Sequence, residues 1–227
     1  MEDIIKFDEN NVLQFHKTDD ILKDACSIIE SSRSAAYKAV NVALIQRNWL
    51  IGYRIAEEEL KGEKRAEYGA KVIKNLSKEL QSIYGKGFTK SNLYSFYSFY
   101  KAYPQIFQTL SGKSATRLSW SHYQALLQVQ DEQARVWYEK EAEEQTWDVR
   151  TLQRNISSQY YHRLLKSQDM QSVEREMKEL TAPYQVDRLE FIKNPVIAEF
   201  LGMSVDNSFT ETELEKSIIA NLQKFLM

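Results

Sequence analysis

Residues 72–104 read VIKNLSKELQSIYGKGFTKSNLYSFYSFYKAYP, and the punctuation of this stretch decides the fold class. Val72, Ile73, Leu76, Leu80 and Ile83 recur at intervals of three and four, the spacing of one face of an α-helix, and predict a helix over 66–84. Gly85 and Gly87 follow at once, and glycine enters the left-handed backbone region without steric penalty, so the helix stops there. Thr89 then stands where a hydroxyl can accept the first free amides of a new helix, predicted over 90–103. Pro104 closes that helix, because proline disfavours helical backbone in the residue before it. Helix, short glycine turn, helix is the layout of a helix-turn-helix unit.

The same grammar extends in both directions. Seven Gly and 3 Pro in 227 residues leave few turn signals, which favours long helices over a many-stranded sheet. Asp19 and Asp20 cap a helix over 21–31, with Ile21, Leu22, Ala25, Ile28 and Ile29 at helical spacing. A longer helix runs from Ser34 to Leu60 through Ala36, Val40, Leu44, Ile51 and Ile55, joined by Tyr37, Trp49 and Tyr53. Downstream, Ser119 opens a helix over 120–129 and Asp131 caps one over 132–145. Thr146 or Asp148 caps a third that passes Val149, Leu152, Ile156 and Tyr160 towards Leu165. Val173 to Leu180 is helical, Pro183 breaks it, and Glu211 to Met227 is an amphipathic helix. Residues 1–18 show no sustained period and read as an irregular arm. The expected class is therefore all-α: a multi-helix domain containing helix-turn-helix-like units, with a short mixed segment near 184–209.

Composition removes several classes of function. An apolar share of 43%, with 12% aromatics, fills a sizeable core. Cys26 is the one cysteine, so no internal disulfide forms, and no basic-then-apolar leader is present; a cytoplasmic location is expected. No run approaches the roughly 18 apolar residues of a membrane span, and mean hydropathy is -0.53. A net charge of -2 and a pI near 6.0 argue against coating nucleic acid by bulk charge. Any such contact must be local, and the charge is uneven: 86–117 carries Lys86, Lys90, Lys101, Lys113 and Arg117 and no acid.

Catalytic constellations are sparse. His16, His122 and His162 are far apart and no Cys or His pair has ligand spacing, so no metal site is expected. Cys26 lies on the apolar face of its helix, and Gly85-Lys86-Gly87 is too short to cradle a phosphate. The carboxylates of 57–59 and 139–144 fall on solvated helix faces. Glu176 and Lys178 form an E-x-K fragment like that of some nucleases, but residues two apart on a helix point about 200° apart, whereas the nuclease needs both on one face of a strand. No catalytic residue and no cofactor is assigned.

Binding residues stand out more clearly. The segment 86–101 reads either as an aromatic core helix or as a binding end at which Lys86, Thr89, Lys90, Ser91 and Asn92 place cations, hydroxyls and an amide beside unsatisfied backbone N–H groups, a setting that favours a phosphate or a base edge. Arg150 and Arg154 are four apart and share one helical face, so they can track a phosphate backbone or pair with Glu141 or Glu144.

Taken together, several of these segments resemble the N-terminal helical domain of the YhcG family (DUF1016), bacterial proteins that usually join it to a C-terminal PD-(D/E)xK nuclease domain. The matching pieces are Asn41, Trp49-Leu-Ile-Gly52, Tyr68-Gly69 before Leu76-Ser77, Gly85-Lys-Gly87-Phe88 with Asn92-Leu93, Leu118-Ser-Trp-Ser-His-Tyr123, and Trp147-Asp-Val-Arg150 with Leu152. Coverage is about residues 30–165. The Ser-His-Tyr and Trp-Asp-Val-Arg segments are also similar to the helix-turn-helix of ParB-type partition proteins, by analogy only. Phe200-Leu201-Gly202 and the helix over 213–226 resemble the lead-in to the family's nuclease domain.

After the irregular arm over 1–18, the resemblance implies the helical domain over 19–168 and, over 169–227, a linker and the start of a nuclease domain. The catalytic Asp, Glu and Lys, and a divalent metal such as magnesium, would belong beyond Met227. The implied function is DNA binding for that nuclease. Phosphate contacts would come from Lys86, Lys90, Arg117, Arg150 and Arg154, with Asn92 and His122 near bases and Ser91 against a phosphate or a base edge. The alternative is an assembly domain whose aromatics around Trp49, Tyr97 or Trp137 pair copies into a homo-oligomer or recruit a protein partner.

Overall fold

The computed structural model describes residues 4–6, 14–60, 65–106 and 118–184. Its first helix, α1, spans Ile21–Leu60. Asp20 caps it, its Oδ1 accepting from the amides of Leu22 (2.9 Å) and Lys23 (3.2 Å). The break expected near Ser32 is absent, and α1 is one continuous helix of 40 residues, about 60 Å long. The serines there carry no glycine or proline with them, and the Ser32 hydroxyl donates back to the Ile28 carbonyl (2.8 Å) instead of capping a new helix.

α2 (Arg65–Tyr84) ends at Gly85, whose φ of 92° is the left-handed value the sequence anticipates. A single 3-10 turn (Lys86–Phe88) leads to α3 (Lys90–Ala102), where Thr89 Oγ1 accepts the Asn92 amide at 3.3 Å. The Ser77 hydroxyl donates to the Phe88 carbonyl (3.0 Å), fastening the turn to α2. Then come α4 (Trp120–Leu126), α5 (Glu132–Glu144), α6 (Val149–Ser157), α7 (Tyr160–Lys166) and α8 (Met170–Thr181), closed by a 3-10 turn at Ala182–Tyr184. Where one helix was expected from 148 to 165, Gln159 adopts a left-handed φ of 53° and divides α6 from α7.

The class is all-α. One small addition corrects the reading of 1–18: Ile4–Lys6 (β1) and Gln14–His16 (β2) pair antiparallel, Ile5 opposite Phe15. Three residues per strand are too few for alternation to be read from sequence. The mixed segment expected over 184–209 lies outside the described residues from 185 onward, as does the helix expected over 211–227.

α3 is the hub. Leu93, Phe96 and Phe99 are fully buried, at roughly 1.5–3 kcal/mol of hydrophobic stabilisation each. They meet α1 on one side and α4 on the other, where the Phe99 ring lies 5.2 Å from Trp120 and 5.0 Å from Tyr123. One continuous core runs from Ile45 and Ile55 of α1 to Trp147, Leu152, Tyr160 and Met177. Met177 belongs to it, so the helical body extends past residue 168 into α8.

Candidate nucleic-acid interface

With Leu93, Phe96 and Phe99 turned inward, helical periodicity turns Ser91, Tyr94, Ser95 and Ser98 outward along the opposite side of α3. α4 does likewise: Trp120, His122, Tyr123 and Leu126 are buried, which leaves Ser121 and Gln124 facing out, with Gln128 exposed just past its end. α6 buries Thr151, Leu152 and Asn155 and presents Val149 and Gln153. These three outer faces meet in an open cleft of about 650 Å³, so that Ser91 of α3 and Gln153 of α6 line one site. Among the described residues, four serines and three glutamines stand in its walls, and no Asp, Glu, Lys or Arg does.

The cations sit at the rim. Lys90 is exposed beside Ser91, its Nζ 5.8 Å from the centre of the Tyr94 ring. Arg150 and Arg154 each follow a lining residue of α6, about 100° further round the helix, and so form the adjacent row. Lys86 is exposed in the turn before α3. Lys86, Lys90 and Arg154 have no ion-pair partner among the described residues. Glu144 is 3.8 Å from Lys140 of its own helix, and Glu141 accepts from Gln145. Arg117 lies outside the described residues.

Two expected contacts prove to be internal. His122 is buried, its Nδ1 accepting from the Ser119 amide at 3.1 Å and lying 2.8 Å from Ser119 Oγ, while its Nε2 donates to the Trp147 carbonyl at 3.0 Å. Burial lowers its pKa and keeps the ring neutral, so it pins α4 to the segment before α6 instead of facing a base. The sequence signal was present in Ser119-x-x-His122, a reciprocal cap. Asn92 spends its Nδ2 on the Gly87 carbonyl (2.9 Å), holding the turn against α3.

The aromatics proposed for subunit pairing are also used within the fold. Trp49 donates to the Tyr103 carbonyl (3.0 Å), and Trp137 packs among Tyr138, Trp147, Tyr160 and Tyr161. A group of exposed apolar residues lies instead on the first half of α1, at Ile21, Leu22, Ile28 and Ile29, beside Cys26, which is exposed as well, while others such as Ile83, Val136 and Leu165 are spread over other helices. The E-x-K fragment sits on α8, where Glu176 pairs with Arg163 and Lys178 with Glu174 (2.6 Å).

Glu139 of α5 departs from the solvated face expected for it. It is partly buried beneath the Tyr123 hydroxyl (3.5 Å), and burial, reinforced by Glu143, raises its pKa from 4.5 to about 7. A carboxyl whose folded pKa is raised stabilises the fold fully below 4.5 and loses that contribution as pH climbs through 7. Glu139→Gln is therefore expected to stabilise the protein at pH 8, by on the order of 1–3 kcal/mol, and to change little at pH 4.5. Urea titrations at the two pH values check this; an equal effect at both would contradict it.

Among the described residues no group of three or more His, Cys, Asp and Glu could hold a metal, and no helix is long and apolar enough to cross a membrane. Residues 24–163 match the family model described as the DUF1016 N-terminal domain. The chain is 34% identical over 230 residues to an Escherichia coli (strain K12) protein named "Putative nuclease YhcG", covering 88% of this chain and 60% of that protein. It thus spans less than two thirds of that relative's length. No solved structure matches it.

Proposed function

Since the chain belongs to the DUF1016 N-terminal domain family, we propose that it is a DNA-binding module that positions DNA for a nuclease domain of the PD-(D/E)xK type. The observation that carries this reading is the shared cleft: residues of α3 and α6, more than fifty positions apart in sequence, wall one polar site with cations along its rim. Phosphates are drawn to Lys86, Lys90, Arg150 and Arg154 and to the amino end of α3. Ser91 and the cleft amides then face the nucleotides. Catalysis, with any divalent metal such as magnesium, falls in this reading to the nuclease domain and to no residue of this chain.

Few cations are involved, so binding is local and strongly dependent on salt. With three or four phosphates neutralised, affinity for a labelled 20-base-pair duplex is expected to fall roughly 40- to 150-fold between 50 and 200 mM salt. Fluorescence anisotropy measures this. No binding at 50 mM, or binding indifferent to salt, would overturn the reading.

A further inference from the structure

We infer that the cleft between α3, α4 and α6 takes unpaired bases, a run of two or three nucleotides of single strand, in preference to intact duplex. This rests on the nucleic-acid reading above and deepens it. The argument starts from shape. In a duplex the base edges lie at the bottom of grooves, where only a projecting helix, ribbon or arm reaches them. Here the polar side chains stand in a concavity of about 650 Å³, and only bases turned out of their stack can enter it.

Chemistry points the same way. A phosphate seated inside would need a cation, and the described residues of the walls include none. Serine hydroxyls and glutamine amides each donate and accept, so they satisfy the mixed donor and acceptor edges of any base without fixing its identity. Among the described residues the charges beside the cleft, Lys90 and Arg154 with Arg150, stand at its rim, where a strand's backbone would run while its bases point inward.

A stacking surface completes the site. Tyr94 is 38% exposed in the cleft wall, with Lys90 Nζ 5.8 Å from its ring centre, so a base stacked on the ring would have its phosphate near that cation. The serine row from Ser91 to Ser98 covers about 10 Å of helix, the rise of about three nucleotides at 3.4 Å per step.

The test uses the full chain and three fluorescent probes at one salt concentration: a 20-nucleotide single strand of mixed sequence, the blunt duplex of that strand, and the same duplex carrying a central three-nucleotide single-stranded gap. The single strand and the gapped duplex are expected to bind at least 10-fold more tightly than the blunt duplex. Tyr94→Ala should lower single-strand affinity about 10-fold and Gln153→Ala several-fold, each by clearly more than it lowers blunt-duplex affinity, while Tyr94→Phe, which keeps the ring, binds as wild type. Circular dichroism confirms that the variants are folded, and Gln153→Ala, on a different helix, repeats the test independently of Tyr94. Equal affinity for all three probes, or variants that weaken duplex and single strand alike, would overturn the inference while the nucleic-acid reading stands. Failure of all three probes to bind would remove both.

Discussion

Gly52→Ala is expected to lower the melting temperature by roughly 5–15 °C, the largest loss anticipated for a single methyl group in this protein. In the interior of an exposed helix the same change stabilises by up to about 1 kcal/mol, because alanine has less backbone freedom to lose on folding. At residue 52 the context reverses the sign. A Cβ built there would lie 2.1 Å from the Phe96 carbonyl oxygen, 2.6 Å from its carbon and 3.1 Å from the Tyr100 Cβ. Two of these atoms are backbone of α3, so no side chain can swing aside, and α1 and α3 would have to separate. Separation would loosen Phe96 and Phe99, which join α1 to the aromatic cluster of α4. A net cost of about 2–4 kcal/mol follows from overpacking of this kind. Thermal unfolding followed by circular dichroism measures it, and a melting temperature equal to or above that of wild type would contradict the packing described for α1 and α3.

Reversing charge at both ends of the cleft, in Lys90→Glu with Arg154→Glu, should weaken nucleic-acid binding about 10- to 100-fold at 50 mM salt and leave the fold intact. Neither side chain has an ion-pair partner among the described residues, so neither reversal orphans a carboxylate there. Both lie beside the cleft without lining it, which leaves its serines and glutamines in place. Their effect is therefore through long-range attraction and phosphate contact. Probes of different sequence should lose affinity by the same factor, because phosphate contacts carry no sequence information.

Much of the fold was legible because its punctuation is chemical. Gly85, Thr89, Asp131 and Asp148 end or cap helices where their backbone freedom or side-chain oxygens predict. Two boundaries were not legible. Ser32 satisfies its hydroxyl within α1, and Gln159 takes a left-handed conformation that no glycine advertises. The site was legible in part. Periodicity gave the rows of α3 and α6, but their meeting across α4 is a tertiary fact, and so is the role of Ser95, Ser98, Gln124 and Gln153 as walls of one cleft. His122 misled because a histidine inside a motif looks alike whether it caps a helix or reads a base; only burial and two occupied ring nitrogens distinguish them. Glu139 misled for a related reason: a glutamate in an acidic run reads as solvated until a tyrosine is found above it.

The central claim is that cations of α3 and α6 act on one bound nucleic acid across a shared cleft. The slope of log affinity against log salt concentration tests it most directly, compared between the wild-type chain and the Lys90→Glu, Arg154→Glu double variant on the same probe. Loss of two phosphate contacts is expected to reduce the magnitude of that slope by about 1.4–1.8. An unchanged slope would mean that these side chains touch no phosphate, and would contradict the account.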